Sequence, residues 1–216
     1  MTENNSKTGI IFDLDGTLWD SSYQVGIAWN LSFKRYGVDL ELTQERMAVM
    51  MGRTVPEIGE ILLPDIELER RNEILHACCV EENRRLNLYG GVLFDGVEEL
   101  LPALAGRYEL FIVSNCQDGY IQSFLNYHGF AKNVTDFECI GRTGLHKGDN
   151  IRLIMERNGL AKAVYVGDTE RDMHSAHSAG IPFIHASYGF GKGFAAERAI
   201  SSFRELPELL DMLLKE

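Results

Sequence analysis

The sequence predicts an α/β fold built on a parallel sheet that helices cover on both faces. Short apolar runs at residues 10–12, 110–113, 164–166 and 182–184 alternate with segments of helical periodicity. Parallel strands need crossover connections, and they form continuous apolar runs because both of their faces are buried. Polar motifs follow these runs, and ligands of open α/β sheets bind beyond the carboxyl ends of the strands. We therefore expect a functional site at that edge of the sheet.

Residues 19–88 interrupt the alternation of strand and helix. Helical patterns cover residues 23–36, 43–51 and 67–86, and no convincing strand lies among them. A glycine-rich joint at residues 89–96 suits a hinge back into the sheet. The pattern predicts a helical insertion after the first strand of the core.

The composition is that of a soluble globular protein with a strong acidic excess. The 216 residues suffice for one or two domains with a real core, and 45% of them are hydrophobic. The 32 acidic and 21 basic residues give a formal net charge of −11, which argues against binding to nucleic acid or to anionic membranes. A phosphate group would be repelled at long range, so a phosphate site needs a local metal ion or lysine.

Several features bear on the cellular compartment. Residues 1–9 are polar and lack the apolar segment of a signal peptide, and no later segment has the length needed to span a bilayer. We expect a cytoplasmic location. The cysteines Cys78, Cys79, Cys116 and Cys139 lack a Cys-x-x-Cys spacing and the density of a disulfide scaffold, so we expect reduced thiols.

Two carboxylates lie one residue apart where the first apolar run ends. Side chains of a strand alternate between its faces, so Asp13 and Asp15 project from the same side, and Gly16 lets the backbone turn just beyond them. Like charges this close repel each other, and a magnesium ion, which prefers carboxylates, water and phosphate oxygens, would reconcile them. Asp-x-Asp-Gly also occurs as ordinary turn chemistry, so the motif alone leaves both interpretations open.

Three further motifs lie beyond later apolar runs. Ser114 and Asn115 offer a hydroxyl and an amide to a phosphate group, or else cap a following helix. Lys147 lies in a loop before a helical pattern, where it can hold a phosphoryl group or lie in solvent. Asp168 and Asp172 are one helical turn apart and can face one point, although acidic residues also favour helix N-termini. The four motifs in this order are far more specific than any one of them.

This order of motifs resembles the haloacid dehalogenase superfamily, in its phosphatase branch, and is similar to that of the phosphoglycolate phosphatases. The resemblance covers essentially the whole chain and implies a Rossmann-like parallel-sheet core of residues 1–18 and 89–216. Residues 19–88 would be inserted into it as an α-helical cap domain. True dehalogenases of the superfamily lack an aspartate at the position of Asp15, so its presence favours phosphate chemistry. Family members often have proline after the motif lysine, whereas Gly148 follows here.

The resemblance also implies roles for the motif residues. Asp13 would be the nucleophile that forms an aspartyl-phosphate, and Asp15 would act as general acid and then as general base. The magnesium ion would be held by the Asp13 carboxylate, the Asp15 backbone carbonyl and Asp168, with Asp172 bound directly or through water. The phosphate oxygens would be held by Ser114, Asn115, Lys147 and the backbone around Gly16.

Other motifs carry weaker hypotheses. Arg53 in the cap is a candidate ligand for a carboxylate or second phosphate of the substrate, because the cap closes over the strand ends. His174 and His177 have a spacing that suits a metal, but we interpret them as a surface pair. The glycine-rich segment 189–193 lacks the spacing of a P-loop, and we interpret it as a flexible connection.

The sequence therefore predicts a magnesium-dependent hydrolase of phosphoric monoesters that acts on a small phosphate monoester of phosphoglycolate or sugar phosphate type. A β-phosphoglucomutase-like phosphomutase is the main alternative, in which Asp15 would return the phosphoryl group to a second hydroxyl. A non-catalytic phosphate-binding module is a further alternative, although no catalytic position of the motifs is lost. We expect a small phosphorylated metabolite as partner, no nucleic acid or membrane, and a monomer or homodimer.

Overall fold

A six-stranded parallel sheet forms the core of the computed structural model, which describes residues 7–214. The strands are β1 (Lys7–Phe12), β2 (Trp19–Asp20), β3 (Val92–Leu93), β4 (Glu109–Ser114), β5 (Asp136–Cys139), β6 (Leu160–Gly167), β7 (Phe183–Ala186) and β8 (Ala199–Ile200). The order within the sheet is β5-β4-β1-β6-β7-β8, and all neighbours pair in parallel. β2 and β3 pair separately as an antiparallel ribbon. The predicted α/β core with a parallel sheet is confirmed.

Helices connect the strands and cover the sheet. They are α1 (Ser22–Tyr36), α2 (Gln44–Ala48), α3 (Val55–Leu62), α4 (Leu68–Tyr89), α5 (Val97–Ala105), α6 (Tyr120–His128), α7 (Ile140–Thr143), α8 (Lys147–Asn158), α9 (Glu170–Ser178) and α10 (Leu206–Leu214). A short 3-10 turn at Phe203–Glu205 precedes the last helix.

Both faces of the sheet are buried. Along β1, Ile10 and Phe12 belong to a hydrophobic cluster that includes side chains of α5, α6 and α10, whereas Ile11 belongs to a second cluster with α8 and α9. All three side chains are fully buried. Because successive strand side chains point to opposite faces, each apolar position in the run contributes to one of two cores. This arrangement explains the unbroken apolar runs of the sequence.

The central strands carry polar side chains at their carboxyl ends. β1 lies between β4 and β6, and the registers bring the ends of the three strands level. Asp13 follows β1, Ser114 is the last residue of β4, and Asp168 follows β6. The sheet therefore gathers at one edge three motifs that are far apart in sequence.

Helices α1 to α4 lie between β2 and β3 in the chain, and we call residues 22–89 the helical insert. Within it, α1 and α3 pack on α4, and α4 also packs on α6 of the core. The chain enters the insert through β2 and leaves it through β3, where Trp19 is level with Leu93. The insertion has the helical content expected for residues 19–88, and the domain boundaries themselves stay a prediction.

The structure differs from the predicted elements in several places. The helix expected over residues 43–51 is shorter, because α2 ends at Ala48 and turns lead to Gly52, whose φ is 78°. α3, which has eight residues and Pro56 in its first turn, was not predicted. β5, a run of four residues that mixes acidic and apolar side chains, was not predicted either. β2 is a strand at residues 19–20, where none was expected, although only two residues form it.

The described residues also bear on the expectations about compartment. All four cysteines are free thiols, as expected. Between residues 7 and 214, no helix is both long enough and apolar enough to cross a membrane. Residues 1–6 of the polar N-terminal segment lie outside the described residues.

Candidate active site

The site lies where β1, β4 and β6 end. Asp13 follows β1 directly, and its backbone N–H donates to Val166 O of β6 at 2.8 Å, so the strand pairing continues through it. Asp13 is 1% exposed. Sheet pairing thus fixes a carboxylate at a position that is almost free of solvent.

Three carboxylates converge at this point. Asp13, Asp168 and Asp172 each offer one oxygen, and these oxygens lie within 4.8 Å of one another. All three residues are buried. The structure brings together the first and the last acidic motif of the sequence, which are separated by more than half of the chain.

The start of α9 orients Asp172. Thr169 is the N-cap residue, and its hydroxyl oxygen accepts a hydrogen bond from the Asp172 N–H at 3.2 Å. In return, Asp172 Oδ2 accepts hydrogen bonds from the Thr169 N–H at 2.9 Å and from the Thr169 hydroxyl at 2.6 Å. This reciprocal capping box satisfies the free backbone donors of the helix and turns Asp172 back over the strand end.

The backbone beyond β7 supports Asp168. Asp168 Oδ2 accepts hydrogen bonds from the N–H groups of Phe190 at 2.7 Å and Gly191 at 3.1 Å. The chains approach so closely that a Cβ on Gly189 would lie 2.2 Å from Gly16 O. Segment 189–193, interpreted from the sequence as a flexible connection, also has a structural role, because the backbone of Phe190 and Gly191 holds a carboxylate of the site.

Lys147 is the cation of this cluster. It is the first residue of α8, not a loop residue as predicted, and it is 4% exposed. Its Nζ donates a hydrogen bond to Asp172 Oδ1 at 2.6 Å and lies 3.0 Å from Asp13 Oδ1. The solvent-exposed alternative for Lys147 is excluded by this burial.

Gly148, which stands where family members often have proline, has a packing role. A Cβ at this position would lie 2.1 Å from Ser178 Oγ of α9. Glycine therefore lets the first turn of α8 approach α9 closely, and that approach brings Lys147 to the carboxylates.

Burial and the nearby carboxylates raise the pKa values of the acidic residues in the cluster. Burial and repulsion by Asp172 raise the pKa of Asp13 to about 7, against the opposing attraction of Lys147. Burial, with repulsion by Asp172 and Asp13, also raises the pKa of Asp168 well above its usual value. Burial alone would lower the pKa of Lys147, but the two nearby carboxylates raise it above its usual value. One lysine does not balance three carboxylates, so the cluster lacks positive charge.

Two oxygens of the cluster are available to a further cation. Asp13 Oδ1 and Asp168 Oδ1 are buried and accept no aligned hydrogen bond from the described residues. The contact of Asp13 with Lys147 is a close ion pair without hydrogen-bond geometry. Buried anionic oxygens are costly unless they are paired or coordinate a metal. A set of carboxylate oxygens at these distances fits a hard divalent cation.

Asp15 lies outside this cluster and has its own partners. Its Oδ1 accepts hydrogen bonds from Ser21 Oγ at 2.6 Å and from Tyr120 OH at 2.8 Å, and these two hydroxyls are 2.7 Å apart. Burial raises the pKa of Asp15 to about 6, although both hydrogen bonds act in the opposite direction. The two aspartates of the first motif therefore have different environments.

Ser114 and Asn115 line a cavity next to Asp15. Ser114 is buried at the end of β4, whereas Asn115 is half-buried and donates a hydrogen bond from Nδ2 to Gly52 O at 3.0 Å. The amide of Asn115 thus contacts the helical insert. Because α6 begins only at Tyr120, neither residue caps that helix.

Gly16 and Arg53 complete the set of predicted residues. Gly16 has a φ of 79°, and a Cβ there would lie 2.2 Å from Asp168 Oδ2, so glycine is required. Its own N–H donates to Trp19 O at 3.0 Å, so this N–H is not available to a phosphate oxygen. Arg53 is half-buried beside the cavity, and its Nε is buried with no hydrogen-bond partner among the described residues.

Some neighbours of the site were not identified from the sequence. Ser21 and Tyr120 hold Asp15, and Glu82 of α4 lines the cavity. Tyr120 lies 105 positions from Asp15 in the sequence, and nothing in the sequence pattern signals this contact. His174 and His177 are exposed on α9, which agrees with their interpretation as surface residues.

The fold and these side chains define a class of α/β protein with a parallel core, an aspartate after its first strand, and a lysine and two acidic residues beyond later strands. A family model described as haloacid dehalogenase-like hydrolase matches residues 10–186, and the chain belongs to this family. The match includes every site residue from Asp13 to Asp172. The resemblance stated from the motifs is confirmed.

Curated relatives cover most of the chain. A 5'-nucleotidase from Pseudomonas aeruginosa is 30% identical over 189 residues, which is 84% of this chain and 83% of the relative. The phosphoglycolate phosphatase of Escherichia coli K12 is 26% identical over 216 residues, which is 88% of this chain and 84% of the relative.

Solved structures share the architecture. A haloacid dehalogenase-like family hydrolase from Streptococcus pneumoniae has a TM-score of 0.80 and 23% identity, covering 95% of this chain and 99% of that one. CbbY from Rhodobacter sphaeroides, solved with phosphate, has a TM-score of 0.78 and 22% identity, covering 92% and 95%. These likenesses show that the fold is shared.

Proposed function

We propose that this protein is a magnesium-dependent phosphatase that hydrolyses a small phosphate monoester through an aspartyl-phosphate on Asp13. The observation that carries the proposal is the buried cluster of Asp13, Asp168 and Asp172 with Lys147 against it. Membership of a hydrolase family supports it, as do relatives named 5'-nucleotidase and phosphoglycolate phosphatase.

The cluster supplies the groups that would hold the magnesium ion. These are the carboxylates of Asp13, Asp168 and Asp172, with the backbone carbonyl of Asp15 as a further oxygen. When bound, the ion would neutralise negative charge on the carboxylates and the phosphate, so that an anionic nucleophile can approach an anionic ester.

Asp13 is the nucleophile in this proposal. One of its oxygens attacks phosphorus, and the bond between phosphorus and the ester oxygen breaks. Lys147 stabilises the negative charge of the transferring phosphoryl group, because its ammonium already lies 3.0 Å from Asp13 Oδ1. Asp13 is held by sheet pairing, so little reorganisation is needed before attack.

Asp15 provides the proton for the leaving oxygen. A pKa of about 6 leaves part of the side chain protonated near neutral pH, which suits a general acid. After this transfer, the Asp15 carboxylate takes a proton from the water that attacks the aspartyl-phosphate. Phosphate leaves, and both aspartates return to their initial states. Ser21 and Tyr120 keep the carboxyl group in place during both steps.

The size of the cavity beside Asp15 supports a small substrate. The cavity has a volume of about 40 Å³ and is lined by residues of the core and of the helical insert. One water molecule needs roughly 10–15 Å³, so this space suits a leaving group of a few heavy atoms.

The test is phosphate release by purified protein with magnesium chloride. We expect release from p-nitrophenyl phosphate and from small metabolite monoesters, with loss of release in EDTA or in Asp13→Asn. Asp118→Asn, an exposed aspartate of the core, is the matched control and should keep the activity. No phosphate from any ester would overturn the proposal, and isomerisation of a sugar phosphate without phosphate release would assign a phosphomutase instead.

A further inference from the structure

The cavity beside Asp15 contains a second buried carboxylate that the proposed reaction does not use. Glu82 belongs to α4 of the helical insert and is 5% exposed. It lines the cavity together with Asp15. Acidic side chains are rarely this buried without a charged partner or a function.

Two neutral donors fix the Glu82 carboxylate. Trp29 Nε1 donates to Oε2 at 2.6 Å, and Gln117 Nε2 donates to Oε1 at 3.0 Å. Trp29 belongs to α1 of the insert, whereas Gln117 lies in the core loop after β4. The carboxylate is therefore held rigidly where the insert meets the core.

Glu82 has acceptor capacity beyond these two hydrogen bonds. Each carboxylate oxygen has two acceptor sites, so one on each oxygen remains. Many of the surrounding cavity residues are apolar and offer no donor, namely Val25, Met47, Met50 and Ile58. Each oxygen already accepts one hydrogen bond, and a donor group of a bound molecule can occupy a remaining acceptor site.

The leaving group is the part of the substrate that enters this cavity. Asp15 protonates its oxygen in the proposed reaction and lines the same space as Glu82. A hydroxyl group there can donate a hydrogen bond to Glu82. A carboxylate offers no donor, and it is repelled by Glu82 when Glu82 is ionised. Arg53 lines the same cavity and can donate to a hydroxyl oxygen or attract a carboxylate, so the preference for a hydroxyl group rests on Glu82.

We propose that Glu82 is a specificity-determining residue that accepts a hydrogen bond from a hydroxyl group of the leaving alcohol, which makes a short polyol phosphate the preferred substrate. This inference rests on the proposed phosphatase function. Glu82 would select hydroxylated leaving groups over carboxylate-bearing ones such as that of phosphoglycolate, which the proposed function alone does not specify.

Three small esters separate the possibilities. Glycerol 3-phosphate carries two hydroxyls, propyl phosphate has the same carbon chain without them, and 2-phosphoglycolate carries a carboxylate. We expect the wild type to have a kcat/KM at least about tenfold higher for glycerol 3-phosphate than for either of the others.

Variants of Glu82 should change this ranking selectively. In Glu82→Met, we expect the ratio of glycerol 3-phosphate to propyl phosphate to fall about tenfold, while propyl phosphate keeps its kcat/KM. In Glu82→Gln, kcat/KM for 2-phosphoglycolate should rise because the charge repulsion is gone. Glu73→Gln is the matched control on the same helix, and its side chain is 55% exposed. It should leave all ratios unchanged.

The outcomes distinguish this inference from the proposed function. An equal loss for all three esters in Glu82→Met would indicate a structural role and overturn the inference. A wild-type preference for 2-phosphoglycolate or propyl phosphate would overturn it as well. If Glu82→Met does not fold, the wild-type ranking and Glu82→Gln still decide. Absence of hydrolysis of every ester, p-nitrophenyl phosphate included, would instead overturn the proposed function on which the inference rests.

Discussion

Lys147 donates a hydrogen bond of 2.6 Å to Asp172, and the same ammonium lies 3.0 Å from Asp13. Lys147→Met would leave three buried carboxylates without their cation. We expect kcat to fall at least about 100-fold and the free energy of unfolding at pH 7 to fall by about 3–5 kcal/mol. Steady-state kinetics and urea unfolding measure both effects. The control is Lys162→Met, an exposed lysine of β6, which should change neither. A variant as stable as the wild type would contradict the expectation.

Asp168 should determine whether magnesium stabilises the protein. We expect magnesium to raise the Tm of the wild type, because the ion binds the folded cluster and not the unfolded chain. Asp168→Asn should lose this rise. Without magnesium it should be at least as stable as the wild type, because one of three crowded carboxylates is gone. Thermal melts with and without the ion provide the measurement, and Asp149→Asn, an exposed aspartate of α8, is the control. The same magnesium-dependent rise in both variants would argue against the ligand role.

Asp15→Asn should affect substrates according to their leaving groups. An alkyl phosphate needs a proton on its leaving oxygen, so its kcat should fall by about 100-fold or more. p-Nitrophenolate leaves without a proton, and only the attack of water on the aspartyl-phosphate should then be slow. We expect a rapid burst of one p-nitrophenolate per site followed by slow turnover in stopped-flow experiments. Equal losses for both esters and no burst would be inconsistent with these roles.

Arg171 of α9 forms an ion pair with Glu57 of α3, with its Nη1 2.8 Å and 2.9 Å from the two carboxylate oxygens. The pair joins the core to the helical insert beside the site. Both side chains are well exposed, at 49% and 36%, so the pair contributes at most about 1 kcal/mol. In Arg171→Gln we expect KM to rise by less than about fivefold at low salt and to match the wild type at high salt. Arg152→Gln, whose partner Asp149 belongs to the core, is the control. A rise in KM that is the same at both salt concentrations would refute this explanation.

Glu82 should make stability depend on pH. Burial raises the pKa of Glu82 to about 7, so the folded state binds its proton more tightly than the unfolded state does. The free energy of unfolding therefore falls as pH rises from about 4.5 through about 7, by at most about 3 kcal/mol from this group. Glu82→Gln removes this contribution and should lose less stability over that interval. Urea unfolding at several pH values measures the difference, with Glu73→Gln as the control. Parallel pH profiles for the wild type and Glu82→Gln would contradict the prediction.

The parts of the site that the sequence predicted are those that follow directly from chain geometry. Asp13 comes after a buried strand, and Asp168 and Asp172 are one helical turn apart, so strand and helix periodicity place them at the sheet edge. Parallel pairing of the strands is then enough to bring these residues together, because the carboxyl ends of parallel strands lie at the same edge of the sheet. The burial of Lys147 was not predictable, because it depends on how closely Gly148 lets α8 approach α9.

Other parts of the site depend on packing between distant segments. Tyr120 contacts Asp15 over 105 positions of sequence, and Gln117 contacts Glu82 over 35. Neither the periodicity of the sequence nor its turn residues predict contacts between such distant positions. The helix α3 and the strand β5 were missed for a different reason, because each is short and its pattern is too mixed to show a period.

The antiparallel ribbon of β2 and β3 has a mechanical consequence. The chain passes between core and helical insert twice, and the two passages are hydrogen-bonded side by side. Because the two passages are linked, we expect them to act as one hinge that permits rotation of the insert and opposes sliding. Such a rotation would separate two contacts together, the one between Asn115 and Gly52 and the one between Arg171 and Glu57. We therefore expect a single covalent crosslink across either contact to keep the insert closed.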